Sequence, residues 1–175
     1  FAKTLDKLRA GGVAAYITTK GTMDKENTKV REFLFKKAEL LGAIRLPNTA
    51  FKNAGTKVTA DILFLQKREK EIENPEWIAV TEDAQGFRIN SYFVQHPEMI
   101  LGTMQEIAGP YGMETTCVEK EGVPLGERLR AAISHITGHI PERVEEERAE
   151  FRYEAEQPTD APDASEVRMY SYVLS

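Results

Sequence analysis

The chain has 175 residues, of which 41% are hydrophobic and 29% charged, which suits one domain with its own core plus an appendage rather than two enzyme domains. No apolar run approaches the roughly 20 residues that a membrane-spanning helix needs. The single cysteine, Cys117, excludes an internal disulfide, and no secretory signal opens the sequence. We therefore expect a cytoplasmic protein that has no membrane partner.

The net charge of −5 is unevenly distributed along the chain. Residues 1 to 70 carry 15 Lys and Arg against 7 Asp and Glu, a net charge of +8, whereas residues 71 to 175 carry 8 against 21, a net charge of −13. A basic half beside an acidic half is typical of a nucleic-acid surface followed by a linker or a partner-facing segment. Two solvated faces that differ in charge explain the asymmetry equally well.

The first elements follow the order helix, strand, helix. Phe1, Leu5 and Leu8 lie at helical spacing before a glycine pair, and because the sequence does not begin with Met, this pattern favours a segment of a longer polypeptide. The apolar run at 12–19 predicts a buried parallel strand. Residues 24–27 then offer N-cap side chains for a second helix. The apolar face of that helix is predicted to comprise Val30, Phe33, Leu34, Ala38 and Leu41.

Two further strands are predicted, at 40–46, where Pro47 ends the strand, and at 59–66. Alternation of helices and apolar strands predicts one side of an α/β sheet. The loop between these two strands is rich in turn-forming residues and contains one aromatic residue, Phe51. Asp61 lies inside the last strand. Because a buried carboxylate requires a partner, we expect a structural salt bridge or a backbone contact there.

A charged stretch at 67–73 is predicted to end this unit. Beyond it, the segments 77–81 and 87–94 are predicted to pair as two strands around a short turn. A short helical segment is expected at 99–104, with Gly102 as its weak point.

The remaining sequence becomes increasingly polar. Residues 125–136 predict an amphipathic helix. The stretch 141–156 is dense in Glu and Arg, and its like charges at i,i+4 add little to an isolated helix. Residues 157–165 are typical of a flexible linker, and 167–174 alternates weakly, as an edge strand or the start of a further domain would.

Several stretches resemble a known family. The strong matches lie at 8–25, 38–48, 50–51 and 54–68, and weaker ones lie at 90–102 and 168–174. These residues resemble the second half of the N-6 adenine-specific DNA methyltransferase domain, as it occurs in the methylase-helicase fusion proteins of bacterial plasmids and mobile elements.

The resemblance implies an α/β fold in three parts. Residues 1–70 are expected to form a partial Rossmann-like methyltransferase sheet, made of the last strands and helices of the catalytic domain. Residues 71–156 are expected to form a smaller, mixed but mostly helical region that contacts DNA or a partner, and residues 157–175 a linker to a further domain. Because neighbouring strands are missing, we expect an exposed sheet edge through which the fragment self-associates or which its own tail covers.

The resemblance also implies a chemistry. The family uses S-adenosylmethionine as methyl donor and acts on an adenine that has been extruded from the DNA duplex. Its glycine-containing donor loop and its Asn/Asp-Pro-Pro-aromatic tetrapeptide do not occur in these 175 residues. We therefore expect no catalytic residue and no cofactor-binding residue in this fragment, which should be inactive alone. A non-catalytic module that binds DNA or protein is the alternative function.

Five residues are candidates for contact with DNA. The resemblance assigns Phe51 to the aromatic residue that stacks on the extruded base, the alternative being a loop aromatic packed into the core. Lys20 and Thr22 follow the carboxyl end of the first strand, where open α/β sheets place ligands. Lys52 and Lys57 flank the Phe51 loop and are candidates for phosphate contacts. Ordinary exposed turn residues are the alternative for all four.

Histidine and cysteine side chains are the candidates for a metal site and a reactive thiol. His135 and His139 stand at i,i+4 like a metal-binding pair, but Gly138 lies between them and no further ligand is near in sequence, so no metal site is predicted. Cys117 has no neighbour that would activate its thiol and is predicted to be structural.

Overall fold

A computed structural model describes residues 1–68, 75–109 and 112–139. The predictions for 141–156, 157–165 and 167–174 lie outside the described residues. The helices are α1 (Ala2–Lys7), α2 (Gly21–Asp24), α3 (Lys29–Phe35), α4 (Ser91–Gln95) and α5 (Leu125–Ser134). The strands are β1 (Val13–Thr19), β2 (Ala38–Leu46), β3 (Ala60–Lys67), β4 (Val80–Glu82), β5 (Arg88–Asn90), β6 (Gly102–Gly109) and β7 (Gly112–Glu119).

The largest sheet has three strands in the order β1-β3-β2. All three lie where the sequence predicts strands. The central strand β3 runs antiparallel to both neighbours, with Ile62 opposite Ile17 on one side and Ile44 on the other. The prediction that β1 pairs as a parallel strand is therefore wrong for the pairing that the structure describes. The predicted burial of this strand is also wrong, because Ala14 is the only buried residue of β1. An apolar run predicts a strand, but it does not encode the direction of the partner.

The second predicted helix is shorter than expected. Helix α3 ends at Phe35, and Ala38 already begins β2. The predicted apolar face is confirmed only in part, because Leu34 and Ala38 are buried whereas Val30 and Phe33 are exposed. The buried face of α3 consists of Leu34 and the completely buried Arg31, whose guanidinium is hydrogen-bonded.

The hairpin predicted beyond residue 75 is confirmed but is shorter than expected. Strands β4 and β5 pair antiparallel. The predicted second strand ends early because Asn90 caps α4, its side-chain oxygen accepting a hydrogen bond from Tyr92 N at 3.0 Å. The amphipathic helix predicted at 125–136 is also confirmed, as α5.

The helical segment predicted at 99–104 is wrong. A 3₁₀ turn at Pro97–Met99 is followed by β6, which begins at Gly102 and pairs antiparallel with β7. A Cβ placed on Gly102 would lie 2.3 Å from the carbonyl oxygen of Val118, so only glycine permits this approach of the two strands. The region after residue 70 is predicted to be mostly helical. Its described part is not mostly helical, because it contains four strands beside α4 and α5.

One hydrophobic core joins the sheet to the elements that follow it. The largest contributors before residue 70 are Leu5, Met23, Leu34, Ile44, Leu63 and Leu65, and those after it include Trp77, Ile89, Phe93, Met99, Cys117 and Ala132. The mixed α/β class is thus confirmed, and Cys117 is buried, as predicted for a structural thiol. Over the described ranges, no helix combines the length and apolar character that a membrane crossing demands.

Candidate functional site

A cleft of about 490 Å³ lies where β1 and β2 end. Thr19 is the last residue of β1, Asn48 follows β2, and Thr59 directly precedes β3. The opposite wall of the cleft is contributed by the β6–β7 hairpin. Since β1 and β2 both run antiparallel to β3, their carboxyl ends meet at this one edge of the sheet, which is where open α/β sheets place ligands.

Hydrogen bonds fix the hairpin wall against the sheet. Asn48 N donates to the carbonyl oxygen of Cys117 at 2.7 Å. Thr59 Oγ1 accepts from Cys117 N at 2.9 Å and lies 3.1 Å from Thr116 Oγ1. From the other side, Lys20 Nζ donates to the carbonyl oxygen of Thr115. The walls of the cleft are therefore held in place by hydrogen bonds.

The structure brings two of the five candidate DNA-contacting residues into this cleft. Lys20 and Lys57 both line it, together with Lys25, which sequence reasoning did not select. Thr22 and Lys52 are not among the lining residues. The carbonyl oxygen of Thr22 accepts a hydrogen bond from Arg31 Nη1 at 3.2 Å, and Lys52 is exposed in a short 3₁₀ turn.

Phe51 lies outside the cleft lining. It is half-buried at the margin of the hydrophobic core, immediately before the 3₁₀ turn Lys52–Ala54. Its carbonyl oxygen accepts from Ala54 N at 2.9 Å. The ring therefore has one side packed on the core and retains some solvent contact, so both a packing role and a stacking role are sterically compatible with its position.

A buried charge cluster supports one wall of the cleft. Asp24, which lines the cleft, pairs with Arg45 Nη1 at 2.9 Å. Arg45 Nε and Nη2 reach the two carboxylate oxygens of Asp61 at 2.8 and 2.9 Å, and neither of these two side chains is exposed. The other oxygen of Asp24 accepts from Asn90 N at 3.0 Å. The predicted structural salt bridge of Asp61 is thus confirmed.

The interactions within the cluster favour the charged form of Arg45. Burial alone would lower the pKa of the Arg45 guanidinium, but the attraction of Asp61 and Asp24 outweighs it, and the pKa is raised. Burial raises the pKa of the Asp61 carboxyl, and Arg45 opposes that rise. Two parallel hydrogen bonds are the geometry of an ionised carboxylate with a guanidinium. The guanidinium carbon also lies 4.3 Å from the centre of the Phe93 ring.

Arg31 is a second buried cation that the sequence pattern did not reveal. Its guanidinium donates to the carbonyl oxygens of Ile78 at 2.7 Å, Lys25 at 2.7 Å and Thr22 at 3.2 Å. Burial lowers the pKa of Arg31. Through these bonds α3 holds both the cleft helix α2 and the segment before β4. An Arg among apolar helix residues gives no sequence signal that distinguishes it from an exposed one.

Neither a metal site nor a donor site emerges from the described residues. No group of three or more His, Cys, Asp and Glu side chains in the described part of the chain is arranged to hold a metal ion. The strand-to-helix connection after β1 contains one glycine, Gly21, where an added Cβ would meet Thr19 Oγ1 at 3.7 Å, an ordinary contact. This connection therefore lacks the close backbone approach of a glycine-rich donor loop.

The family model for N-6 DNA methylase matches residues 2–114, which include the three-stranded sheet and the cleft lysines. The chain belongs to the N-6 DNA methylase family. It is also 35% identical over 71 residues to the defense against restriction protein B of Escherichia phage P1. That match covers 40% of this chain but 3% of the phage protein, so the chain spans a very small part of that relative's length. No solved structure matches this N-6 DNA methylase chain.

Proposed function

We propose that the chain is part of an S-adenosylmethionine-dependent, adenine-specific DNA methyltransferase that is fused to a helicase in the full-length protein. The observation that carries the proposal is the lysine-lined cleft at the shared carboxyl edge of β1 and β2, in a chain of the N-6 DNA methylase family. In this proposal the donor supplies the methyl group and is held by residues outside this chain. The chain itself is inactive and contributes substrate contacts.

The sheet supports a placement within the larger catalytic domain. We assign β1, β2 and β3 to the last three strands of a Rossmann-like methyltransferase sheet, with residues 1–70 as the end of the catalytic domain. Both neighbouring pairs of the described sheet, β1 with β3 and β3 with β2, are antiparallel, and a parallel neighbour on β1 would make it the mixed sheet that many α/β folds carry. Over the part of the chain that is described, no strand pairs with the outer edge of β1, and that edge suits the next strand of the sheet.

The remaining regions receive related roles. Residues 71–156 are proposed as a region appended to the catalytic domain that contacts DNA or a partner. The family match extends to residue 114 and the hydrophobic core continues across residue 70, which supports a region attached to the sheet. Residues 157–175 are proposed as the linker to the helicase part.

The cleft cations are proposed to bind the DNA backbone. Lys20 and Lys57 lie at the cleft, and Thr22 and Lys52 lie on flanking segments. Phosphate contacts from lysine hold the duplex in register without reading its sequence. Phe51 is proposed to stack on the extruded adenine, where an aromatic face contributes roughly 1–3 kcal/mol per base.

The cationic role is tested by Lys57→Gln in the full-length protein. We expect weaker binding to DNA of every sequence. The slope of log K against log salt concentration should become shallower by about 0.9, the value for one lost phosphate contact. The matched control is Lys36→Gln, an exposed lysine that precedes β2 at the opposite edge of the sheet. Equal effects of both substitutions, or absence of adenine methylation by the unmodified full-length protein, would contradict the proposed function.

The Phe51 role requires a paired measurement of methylation rate and denaturation midpoint. If the ring stacks on the base, Phe51→Ala lowers binding or turnover by roughly 1–3 kcal/mol and Phe51→Trp retains most of it. Because the ring is half-buried, Phe51→Ala also costs some stability, but less than the roughly 3–5 kcal/mol of a fully buried phenylalanine. A large drop in midpoint with unchanged activity per folded molecule would assign Phe51 to the core.

A further inference from the structure

The β6–β7 hairpin is buried at its base and exposed at its far end. Met104 and Cys117 pair in register within the core, and the neighbouring Thr116 is buried as well. Beyond them, residues 105–108 and 112–114 are exposed on both faces of the hairpin, and the side chain of Met113 is 66% exposed. The far half, hereafter the arm (residues 105–109 and 112–115), therefore projects from the body of the protein.

The arm stands on a rigid base beside the cleft. Its base is fixed to the sheet by the bonds of Asn48 and Thr59 with Cys117, and within the hairpin Gly102 allows β6 to approach β7 closely. A two-stranded ribbon alone is marginally stable in water. A ribbon that projects into solvent from a fixed base is thus well placed to gain contacts from a bound partner.

The strand register divides the arm into two faces. Side chains directly opposite one another share a face. Ile107 pairs with Glu114, and Gln105 pairs with Thr116. Ile107, Glu114 and Thr116 of this set line the cleft, so this is the cleft face. Thr115, from the other set, also lines the cleft, where its backbone carbonyl oxygen accepts from Lys20 Nζ. Glu106 belongs to the alternate set of side chains and lies on the opposite face.

The chemistry of the arm complements that of the cleft floor. Residues 102–119 contain no Lys or Arg, whereas Lys20 and Lys57 line the cleft below. Phosphates are bound by cations, but base edges are read by carboxylates, amides and apolar groups. The cleft face of the arm carries one group of each of these three kinds, namely Glu114, Gln105 and Ile107.

We propose that the arm enters the major groove next to the extruded adenine and that its cleft face selects the flanking bases. A two-stranded ribbon fits the width of the major groove. Glu114 would accept a hydrogen bond from an exocyclic amino group of cytosine or adenine, while the lysines of the cleft hold the adjacent phosphates. The inference rests on the proposed function, because it names the recognition element of that same methylation.

The test uses the full-length protein and maps the bases around each methylated adenine on a DNA library of random flanking sequence. The two variants are Glu114→Gln on the cleft face and Glu106→Gln on the opposite face. They remove the same charge from the same exposed ribbon, so a general electrostatic effect is equal in both. We expect Glu114→Gln to reduce discrimination at one flanking position roughly tenfold or more, with the preference of Glu106→Gln unchanged.

The outcomes separate this inference from the proposed function. An unmodified protein that methylates no adenine would overturn both. A protein that methylates adenine with the same flanking preference in both variants would overturn the inference alone, and would leave the arm as a surface for a protein partner. Equal loss of discrimination in both variants would also overturn it, since the cleft face would then have no special role.

Discussion

Strands β1 and β2 flank the same central strand, but their surroundings differ. From Gly42 to Leu46 every residue of β2 is buried, and its outer edge is bridged by the segment at Ile100, where Leu101 N donates to the carbonyl oxygen of Arg45 at 2.9 Å. The outer edge of β1 has no strand partner within the described ranges, and its Ile17 is 60% exposed. Both strands are similarly apolar in sequence. An apolar strand pattern therefore predicts a strand, but it does not predict whether both edges of that strand are covered.

The closed side of the sheet is where a single substitution should have its largest effect. Arg45→Met leaves Asp61 buried without its cation, and we expect a loss of about 3–5 kcal/mol in the free energy of unfolding. The measurement is chemical denaturation of the chain. The double variant Arg45→Met with Asp61→Leu removes both charges and should recover a large part of the loss. A single variant as stable as the wild type would show that this side does not depend on the buried pair.

The pH dependence of folding stability tests the burial of Cys117, which is hydrogen-bonded to Asn48 beyond the end of β2. Burial raises the pKa of the Cys117 thiol to about 12, against an ordinary value of 9.0. The folded state therefore favours the protonated thiol, and this contribution is fully present below the unfolded pKa and is lost as the pH rises toward the folded value. Between about pH 7 and about pH 10 the wild type should lose about 1 kcal/mol more stability than Cys117→Ala. Identical pH profiles would mean that the thiol is not sequestered.

A substitution at the outer edge of β1 should have the smallest effect on the free energy of unfolding and the largest effect on self-association. We expect the chain to self-associate through the outer edge of β1. Ile17→Ser should change the free energy of unfolding by no more than about 0.5 kcal/mol while weakening that association, as measured by light scattering over a concentration series. Val30→Ser is the control, since Val30 is an exposed apolar residue on α3. A strictly monomeric wild type would contradict the expectation.

The sequence placed the three sheet strands and α5 well, because apolar runs and amphipathic periodicity are local signals. It failed for α3, because Arg31 is buried through three carbonyl contacts that no pattern of apolar residues reports. It also missed β6 and β7, whose exposed far halves lack the alternation of a half-buried strand. Glycine disfavours a helix at position 102, and the close contact of Gly102 with Val118 explains why glycine occurs there.

The candidate site was predicted in outline. The edge of the sheet and two of its lysines follow from the order of strands and loops, since residues just beyond strand ends collect at one edge. The lysine cleft also needs the hairpin wall at Thr115 and Thr116, which comes from a distant part of the chain. Asp61, a charged residue inside an apolar strand, predicts a buried partner of opposite charge. Arg45 could have been recognised in the same way, because it is a charged residue inside the adjacent apolar strand.

The projecting arm also has a consequence for motion. Its backbone hydrogen bonds near Gly109 and Gly112 are shielded by exposed side chains alone, whereas those near Cys117 are enclosed by the core. Opening of the ribbon therefore needs little free energy at the far end and approaches the cost of global unfolding at the base. The exchange rates of amide hydrogens along β6 and β7 should therefore form a gradient, fastest at the two glycines and slowest beside Cys117. The hairpin should open locally from its far end while the strand pairs at its base remain formed.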